Sequence, residues 1–139
     1  MRMLVAADSS AIVKLVLAEE GSGIAQLVWE EAETIVATRL ARVESAAAVT
    51  AARRDRRIRP AGEARAHAEL ESLWLGVAVR ELTDLLEREA MGLARSHTIS
   101  GGDAVHLAAA VDAGATLLTW DRRLAAAASA EGLAVIPQG

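Results

Sequence analysis

The chain has 139 residues, a formal net charge of −4, and no Cys, Phe or Tyr. The lack of Cys excludes disulfides, cysteine-ligated metal sites and a thiol nucleophile. With Trp29, Trp74 and Trp120 as its only large aromatic side chains, the protein cannot build the base-stacking surface of an RRM or OB-fold. Its acidic balance also argues against binding nucleic acid by overall charge alone.

The start of the chain is too short an apolar segment for export or membrane insertion. Residues 1–8 reach Asp8 after only a few apolar residues, whereas a secretory or membrane-spanning segment needs a longer run. We therefore expect a cytoplasmic protein. The length leads us to expect that residues 1–139 fold as one domain.

Apolar runs separated by Gly, Pro and polar residues predict strands that alternate with helices. In the first half we expect a strand at residues 3–7, helices at 11–19 and 24–33, a strand at 34–37 and a helix at 39–54. In the second half we expect a helix at 60–74, a strand at 77–79, helices at 81–96 and 101–113, a strand at 115–120, a helix at 121–130 and a strand at 133–136. Because the strands are continuous apolar runs, the pattern favours an α/β fold with a parallel sheet covered on both faces.

Three aspartates stand where predicted strands end or predicted helices begin. Asp8 and Asp121 directly follow apolar strands, and Asp103 follows the Gly101–Gly102 break at a helix start. Ligands of open parallel sheets bind outside the carboxyl ends of the strands, so these positions are the first candidates for a site. Each aspartate taken alone has a simpler interpretation as a helix cap, and Ser100 with Asp103 resembles a capping box.

Glu44 is a carboxylate inside a predicted helix, on the face formed by Leu40, Ala47, Ala48 and Ala51. It could pair with Arg42 or with an arginine of another element, because buried charges are normally paired. If it converged with the three aspartates instead, the four carboxylates would repel one another, and a divalent cation would relieve that repulsion. Hard oxygen ligands select Mg²⁺ or Mn²⁺ and leave several waters bound.

Four motifs combine these acids with their neighbours. They are Leu4-Val-Ala-Ala-Asp8-Ser-Ser-Ala-Ile-Val-Lys14, Arg42-Val-Glu44-Ser-Ala, Asp103-Ala-Val-His-Leu-Ala-Ala109 and Leu118-Thr-Trp-Asp121-Arg-Arg-Leu124. No single motif is specific, but their order, spacing and strand–helix setting together resemble the PIN domain, and specifically the VapC-type toxins. The resemblance covers essentially the whole chain.

The resemblance implies a three-layer α/β/α fold and a metal site formed by Asp8, Glu44, Asp103 and Asp121 that hydrolyses RNA phosphodiester bonds with Mg²⁺ or Mn²⁺. We expect Asp8 and Asp103 to be direct ligands, Glu44 to act through water, and Asp121 to complete the site or bind a second ion. Our mechanistic hypothesis is in-line attack of an activated water on phosphorus.

The same resemblance implies partners. A toxin of this type would have a VapB-type antitoxin whose tail occupies the acidic groove, with a basic residue against the carboxylates. The family also commonly forms homodimers, and leucines around residues 15–17 are a candidate surface for this contact.

Polar residues beside the acids are expected to support the site. Ser10 and Thr119 correspond to hydroxyls that lie near the site in the family, and we expect them to orient the acids or to serve as ordinary caps. His106 lies three residues after Asp103, and we interpret it as structural rather than as a general base. The Gly101–Gly102 pair departs from the bulkier or basic residue that many family members carry before this aspartate.

Arginines offer candidate contacts to the RNA backbone. The strongest cluster comprises Arg53, Arg54, Arg56, Arg57 and Arg59, followed by Arg122 and Arg123. Such runs are most simply solvated helix ends, so the cluster is a weak substrate-binding prediction.

Other functions fit parts of the pattern. A phosphatase with an aspartate nucleophile needs Asp-x-Asp after the first strand, but Ser10 occupies the second position. A receiver domain needs a paired acid there and a lysine after a late strand. The remaining alternatives are a PIN nuclease in RNA maturation or quality control and a PIN-like scaffold without activity.

Overall fold

A parallel sheet forms the centre of the structure, a computed structural model that describes residues 3–138. Its strands are β1 (Leu4–Ala7), β2 (Thr34–Thr38), β3 (Val77–Arg80), β4 (Thr116–Leu118) and β5 (Val135–Ile136). They lie in the order β3-β2-β1-β4-β5, and every neighbouring pair is parallel. The predicted parallel α/β fold is confirmed.

Helices connect the strands and cover both faces of the sheet. They are α1 (Ser9–Val16), α2 (Ser22–Glu31), α3 (Arg39–Arg54), α4 (Pro60–Trp74), α5 (Asp84–Ser96), α6 (Gly101–Ala113) and α7 (Arg122–Ala130). None of these helices is long and apolar enough to cross a membrane.

Alternate side chains of β1 enter different cores. Val5 and Ala7 pack on one face of the sheet in the cluster that contains Ile12 of α1, whereas Ala6 packs on the other face with Leu107 of α6. This alternation follows from the strand geometry, in which successive side chains point to opposite faces. The three layers predicted from the family resemblance are therefore present.

The strand order creates a crevice at the carboxyl edge of the sheet. The central strand β1 pairs with β2 on one side and with β4 on the other. The connections that leave β1 and β4 therefore run in opposite directions. Parallel sheets bind ligands in the crevice that this leaves between the carboxyl ends of the two strands. Asp8, Thr38 and Thr119 directly follow or end these three strands.

The first helix differs from its prediction at both ends. The side chain of Asp8 accepts the N–H of Ala11, so α1 begins at Ser9 rather than at residue 11. The helix ends at Val16 rather than at residue 19. The Ser22 hydroxyl donates to the Leu17 carbonyl and holds the residues after the helix in a turn.

Other element boundaries also need correction. Helix α5 begins at Asp84 rather than at residue 81, because the Thr83 hydroxyl accepts the N–H of Leu86. Helix α2 begins and ends two residues earlier than expected, and β4 and β5 are shorter than the apolar runs that predicted them. Side-chain caps and strand pairing set these limits rather than apolar character.

One prediction of surface position is wrong. Leu17 is buried and Leu15 is only half-buried, so this segment packs inward and does not offer exposed leucines for a dimer. On α3 the buried face is formed by Ala41, Ser45, Val49 and Ala52. Ala47 and Ala51 are exposed, and Glu44 is half-buried at the border of this face.

Candidate active site at the carboxyl edge of the sheet

Asp8 is the most deeply buried of the four candidate carboxylates, with 3% of its surface exposed. Its Oδ1 accepts the Ala11 N–H at 3.1 Å and the Ser10 hydroxyl at 2.7 Å, and its Oδ2 accepts the Thr119 hydroxyl at 2.6 Å. Asp8 therefore does cap α1, as the simpler interpretation predicted. A cap needs only the backbone donor, however, and the two hydroxyls fix the carboxylate in the crevice as well.

Burial raises the pKa of the Asp8 carboxyl above its ordinary value. The hydrogen bonds from Thr119, Ser10 and Ala11 and the charge of His106 act in the opposite direction but do not cancel it. An ionised Asp8 is therefore costly in this protein, and a nearby cation would favour it.

Two hydroxyls join the ends of β1 and β4. Thr119 donates to Asp8 and accepts the N–H of Asp121 at 3.0 Å, while Ser10 donates to Asp8 and accepts the N–H of Trp120 at 3.0 Å. Each hydroxyl thus connects the Asp8 carboxylate to the backbone at Trp120 and Asp121. Ser10 and Thr119, predicted from their position beside the acids, lie in contact with Asp8.

Asp103 and Asp121 both stand at helix starts that face this edge. The Asp121 side chain accepts the N–H of Leu124 at 2.9 Å, and the N–H of Asp103 is capped by the Ser100 hydroxyl at 3.1 Å. Burial raises the pKa of Asp103, and the negative charges of Asp121 and Asp8 raise it further. Asp8 and Asp121, which are distant from Asp103 in sequence, are therefore close enough for their charges to raise its pKa.

Glu44 joins the group through a histidine. Its Oε1 lies 2.5 Å from Nε2 of His106, whose Nδ1 lies 3.0 Å from the Thr38 hydroxyl. The hydrogen bond from His106 lowers the pKa of Glu44, although burial opposes it. Glu44 therefore pairs with a histidine and not with Arg42, which forms an ion pair with Glu71 at 3.1 Å.

The sequence alone did not place Thr38 in this region, and it predicted only a structural role for His106. His106 is 3% exposed, and both of its ring nitrogens are engaged by side chains. The sequence signal was its position one helical turn after Asp103, but that spacing did not reveal a contact with Glu44, 62 residues earlier.

The donor set fits a hard divalent cation by its chemistry and charge. All four groups offer carboxylate oxygens, and no Lys or Arg within residues 3–138 forms an ion pair with Asp8, Asp103 or Asp121. Within the same residues, however, no three acidic or histidine side chains are close enough together to hold one metal ion as they stand. The oxygens of Asp8 and Glu44 point to hydroxyl and imidazole donors, so binding a cation requires side-chain adjustment.

The predicted arginine cluster lies away from these acids. Glu44 is in the second turn of α3 and Arg54 ends that helix ten residues later, roughly 15 Å along the axis. Arg53 is paired with Glu63 at 2.9 Å, while Arg54, Arg56 and Arg57 are exposed. The fold does not bring the cluster into the site.

We expect Asp103→Asn to stabilise the protein in the absence of divalent cations. A raised folded-state pKa favours the fold below the ordinary pKa of aspartate, and this benefit is lost as the pH rises through the raised value. At pH 7 the ionised carboxylate is therefore unfavourable. The neutral amide should raise the melting temperature by about 2 °C, which corresponds to a gain of about 0.5 kcal/mol in the free energy of unfolding.

Thermal unfolding in EDTA, followed by circular dichroism at pH 7 and pH 4, measures this effect. The gain should shrink at pH 4, and the exposed Asp84→Asn should show no gain at either pH. A lower melting temperature for Asp103→Asn in EDTA at pH 7 would contradict the expectation.

Comparisons with known proteins agree on the family. Residues 5–130 match the sequence model of the PIN domain. The chain is 40% identical over 137 residues to Ribonuclease VapC45 of Mycobacterium tuberculosis, covering 96% of this chain and 95% of the relative.

Solved structures agree on the fold. The Mycobacterium tuberculosis toxin VapC20, described as cleaving the Sarcin-Ricin loop, superposes with a TM-score of 0.69 at 21% identity, covering 88% of this chain and 94% of that one. A structure of Rickettsia felis VapBC2 bound to a DNA fragment from its promoter superposes with a TM-score of 0.67 at 12% identity, covering 96% of this chain and 97% of that one.

Proposed function

The chain belongs to the PIN domain family, and from this membership we propose that it is a metal-dependent endoribonuclease and the toxin of a VapBC-type toxin–antitoxin module. The proposed PIN domain spans residues 1–139. The 40% identity to a protein named as a ribonuclease, over nearly the full length of both chains, supports hydrolysis of RNA phosphodiester bonds as the reaction.

The observation that carries the proposal is the grouping of carboxylates at the carboxyl edge of the sheet. Asp8 follows β1, Glu44 lies on α3, Asp103 on α6 and Asp121 caps α7, yet hydrogen bonds and charge interactions connect them. A packed protein tolerates such a concentration of negative charge at a cost, and sites with perturbed pKa values are candidates for function.

In this proposal the four acids bind Mg²⁺ or Mn²⁺. Asp8 and Asp103 are the direct ligands, Glu44 acts through water, and Asp121 completes the site or holds a second ion. When bound, the cation would increase the acidity of water and offset negative charge on the phosphate. The Ser10 and Thr119 hydroxyls hold the Asp8 carboxylate within the crevice, and small adjustments of these side chains would turn it to the cation.

The toxin assignment implies a VapB-type antitoxin as a partner. The acidic crevice would suit a basic side chain of that partner, which would then exclude both metal and RNA. We place the protein in the cytoplasm, where its RNA substrate would be found, and we expect a homodimer. A small antitoxin gene directly upstream would separate this role from RNA maturation.

The RNA backbone would extend beyond the acids. Arg54 at the end of α3, and Arg56 and Arg57 just after it, are exposed and remain candidates for phosphate contacts remote from the cleavage point.

Cleavage of total RNA by the purified, antitoxin-free protein tests the proposal. We expect cleavage with Mg²⁺ and with Mn²⁺, no cleavage in EDTA, and recovery when excess Mg²⁺ is returned, because the acids need a cation to act on a phosphodiester. Circular dichroism in EDTA serves as the control that the protein stays folded. Cleavage that persists in EDTA would exclude the metal mechanism, and no cleavage by the folded protein with metal would favour the scaffold alternative.

A further inference from the structure

We propose that His106 is a positioning residue that orients the Glu44 carboxylate toward the cation, with Thr38 fixing the ring of His106. The inference rests on the proposed function, since it assigns Glu44 to a metal site. It adds a residue that acts on the metal only through Glu44.

The hydrogen bonds around the ring define where its proton lies. The Thr38 hydroxyl oxygen accepts the N–H of Ala41 at 3.0 Å, which leaves its own O–H free to donate to Nδ1 of His106 at 3.0 Å. A ring that accepts at Nδ1 carries its proton on Nε2, and Nε2 is the atom that faces Glu44 Oε1 at 2.5 Å. The imidazolium form also donates from Nε2, so Glu44 receives a hydrogen bond in either state.

Packing prevents the ring from turning away. His106 is 3% exposed and Thr38 is 2% exposed, and the neighbouring Leu107 is fully buried in the core between α6 and the sheet. Thr38 also caps α3, the helix that carries Glu44. The start of α3 and the middle of α6 are therefore held together by one Thr–His–Glu series.

The same helix leaves space beside the other oxygen of Glu44. Gly102 lies four residues before His106 on α6, and a Cβ at this position would lie 3.2 Å from Glu44 Oε2. Contacts of this length are tighter than ordinary packing allows without displacement. Helix α6 thus donates a hydrogen bond to Oε1 and presents no side chain to Oε2, while the Ser9 side chain at the start of α1 also interacts with the Glu44 carboxylate.

Two amide substitutions of similar size distinguish the roles of the two ring nitrogens of His106. His106→Gln can place an amide N–H near the position of Nε2, whereas His106→Asn places its amide near Nδ1 and removes the donor that faces Glu44 Oε1. We expect His106→Asn to weaken Mn²⁺ binding by about tenfold or more, in the range found when residues that orient metal ligands are replaced, and His106→Gln to recover part of the loss.

A matched control exists elsewhere in the chain. His67 contacts the Thr50 hydroxyl at 3.2 Å and Glu63 at 3.6 Å, which gives a second Thr–His–Glu group of the same composition on α3 and α4. His67→Asn and His67→Gln should leave Mn²⁺ affinity unchanged. The double variant Glu44→Gln with His106→Asn should bind Mn²⁺ no more weakly than Glu44→Gln alone, because His106 acts through Glu44.

Mn²⁺ titration of the metal-free protein, followed by electron paramagnetic resonance, gives these affinities without an RNA assay. Wild-type affinity in a folded His106→Asn variant would overturn the inference and leave the proposed function intact. No Mn²⁺ binding by the wild-type protein would overturn the proposed metal site, and the inference with it.

A measurement on the unchanged residue covers the case in which the His106 variants do not fold. In the ¹⁵N spectrum of histidine-labelled protein, Nε2 of His106 should be protonated, and Mg²⁺ should shift its resonances but not those of His67. In Glu44→Gln the Mg²⁺ response of His106 should be clearly smaller, and the remainder should reflect its charge interaction with Asp8 and Asp103. An Nε2 without a proton, or an undiminished response in Glu44→Gln, would overturn the inference.

Discussion

Asp8→Asn should reduce RNA cleavage by about 10³-fold or more while leaving the fold intact. Asparagine keeps an oxygen that can accept from both the Ala11 N–H and the Ser10 hydroxyl, and the Thr119 hydroxyl can rotate to accept from its amide. What it lacks is the negative charge that the proposed cation requires. Rates of cleavage of total RNA with Mg²⁺, measured with equal amounts of folded protein, provide the test.

The exposed Asp84, in the first turn of α5, provides a matched control for this change. Asp84→Asn makes the same chemical replacement at a helix start, away from the carboxylates, and should leave cleavage unchanged. Cleavage at the wild-type rate by Asp8→Asn with Mg²⁺ would rule out Asp8 as an essential metal ligand.

Gly21→Ala should lower the free energy of unfolding by roughly 2–4 kcal/mol, from backbone strain and overpacking together. Gly21 has a φ of +91°, in the left-handed region, and an added Cβ would lie 2.8 Å from atoms of the Trp120 indole. The indole cannot easily move aside, because Lys14 lies 5.0 Å above its ring and is itself paired with Glu19. Urea denaturation followed by circular dichroism measures the loss.

Gly92→Ala should instead raise the free energy of unfolding in the same assay. Gly92 lies in the interior of α5 with open space around it, and alanine there should add roughly 0.5–1 kcal/mol. In a Trp120→Ala background, Gly21→Ala should cost only about 1–2 kcal/mol, the contribution of the left-handed backbone. An equal loss in both backgrounds would show that the contact with Trp120 does not contribute.

The contact between Gly21 and Trp120 also connects stability to the site. Trp120 lies between Thr119, which donates to Asp8, and Asp121, which caps α7. A displaced indole would shift both neighbours, so we expect Gly21→Ala to reduce cleavage at temperatures where the variant remains folded.

Most strands and helices could be predicted because their signals are local. Helices α3, α4 and α6 match their predicted bounds, and Pro60 and the Gly101–Gly102 break mark two of these starts directly in the sequence. The predicted starts of α1 and α5 failed because a side-chain cap at Asp8 and at Thr83 sets the first residue, whereas Thr38 and Ser100 cap starts that the sequence pattern also marks.

The acids of the site were predictable for a related reason. Parallel strands end at one edge, so Asp8 after β1 and Asp121 after β4 had to approach that edge wherever the strands lay in the sheet. Their hydroxyl neighbours Ser10 and Thr119 follow from the same placement. The assignment of all four acids to one metal site remains a proposal.

Contacts between elements distant in sequence were decided by the tertiary structure. Helical periodicity placed Glu44 on a face with Ala47 and Ala51, but the packing of α3 leaves both alanines exposed and turns Glu44 toward His106. No local pattern contains this pair, because its geometry depends on how α3 and α6 lie against opposite faces of the sheet. Local backbone chemistry therefore determined which residues reach the edge, and packing between layers determined which side chains meet there.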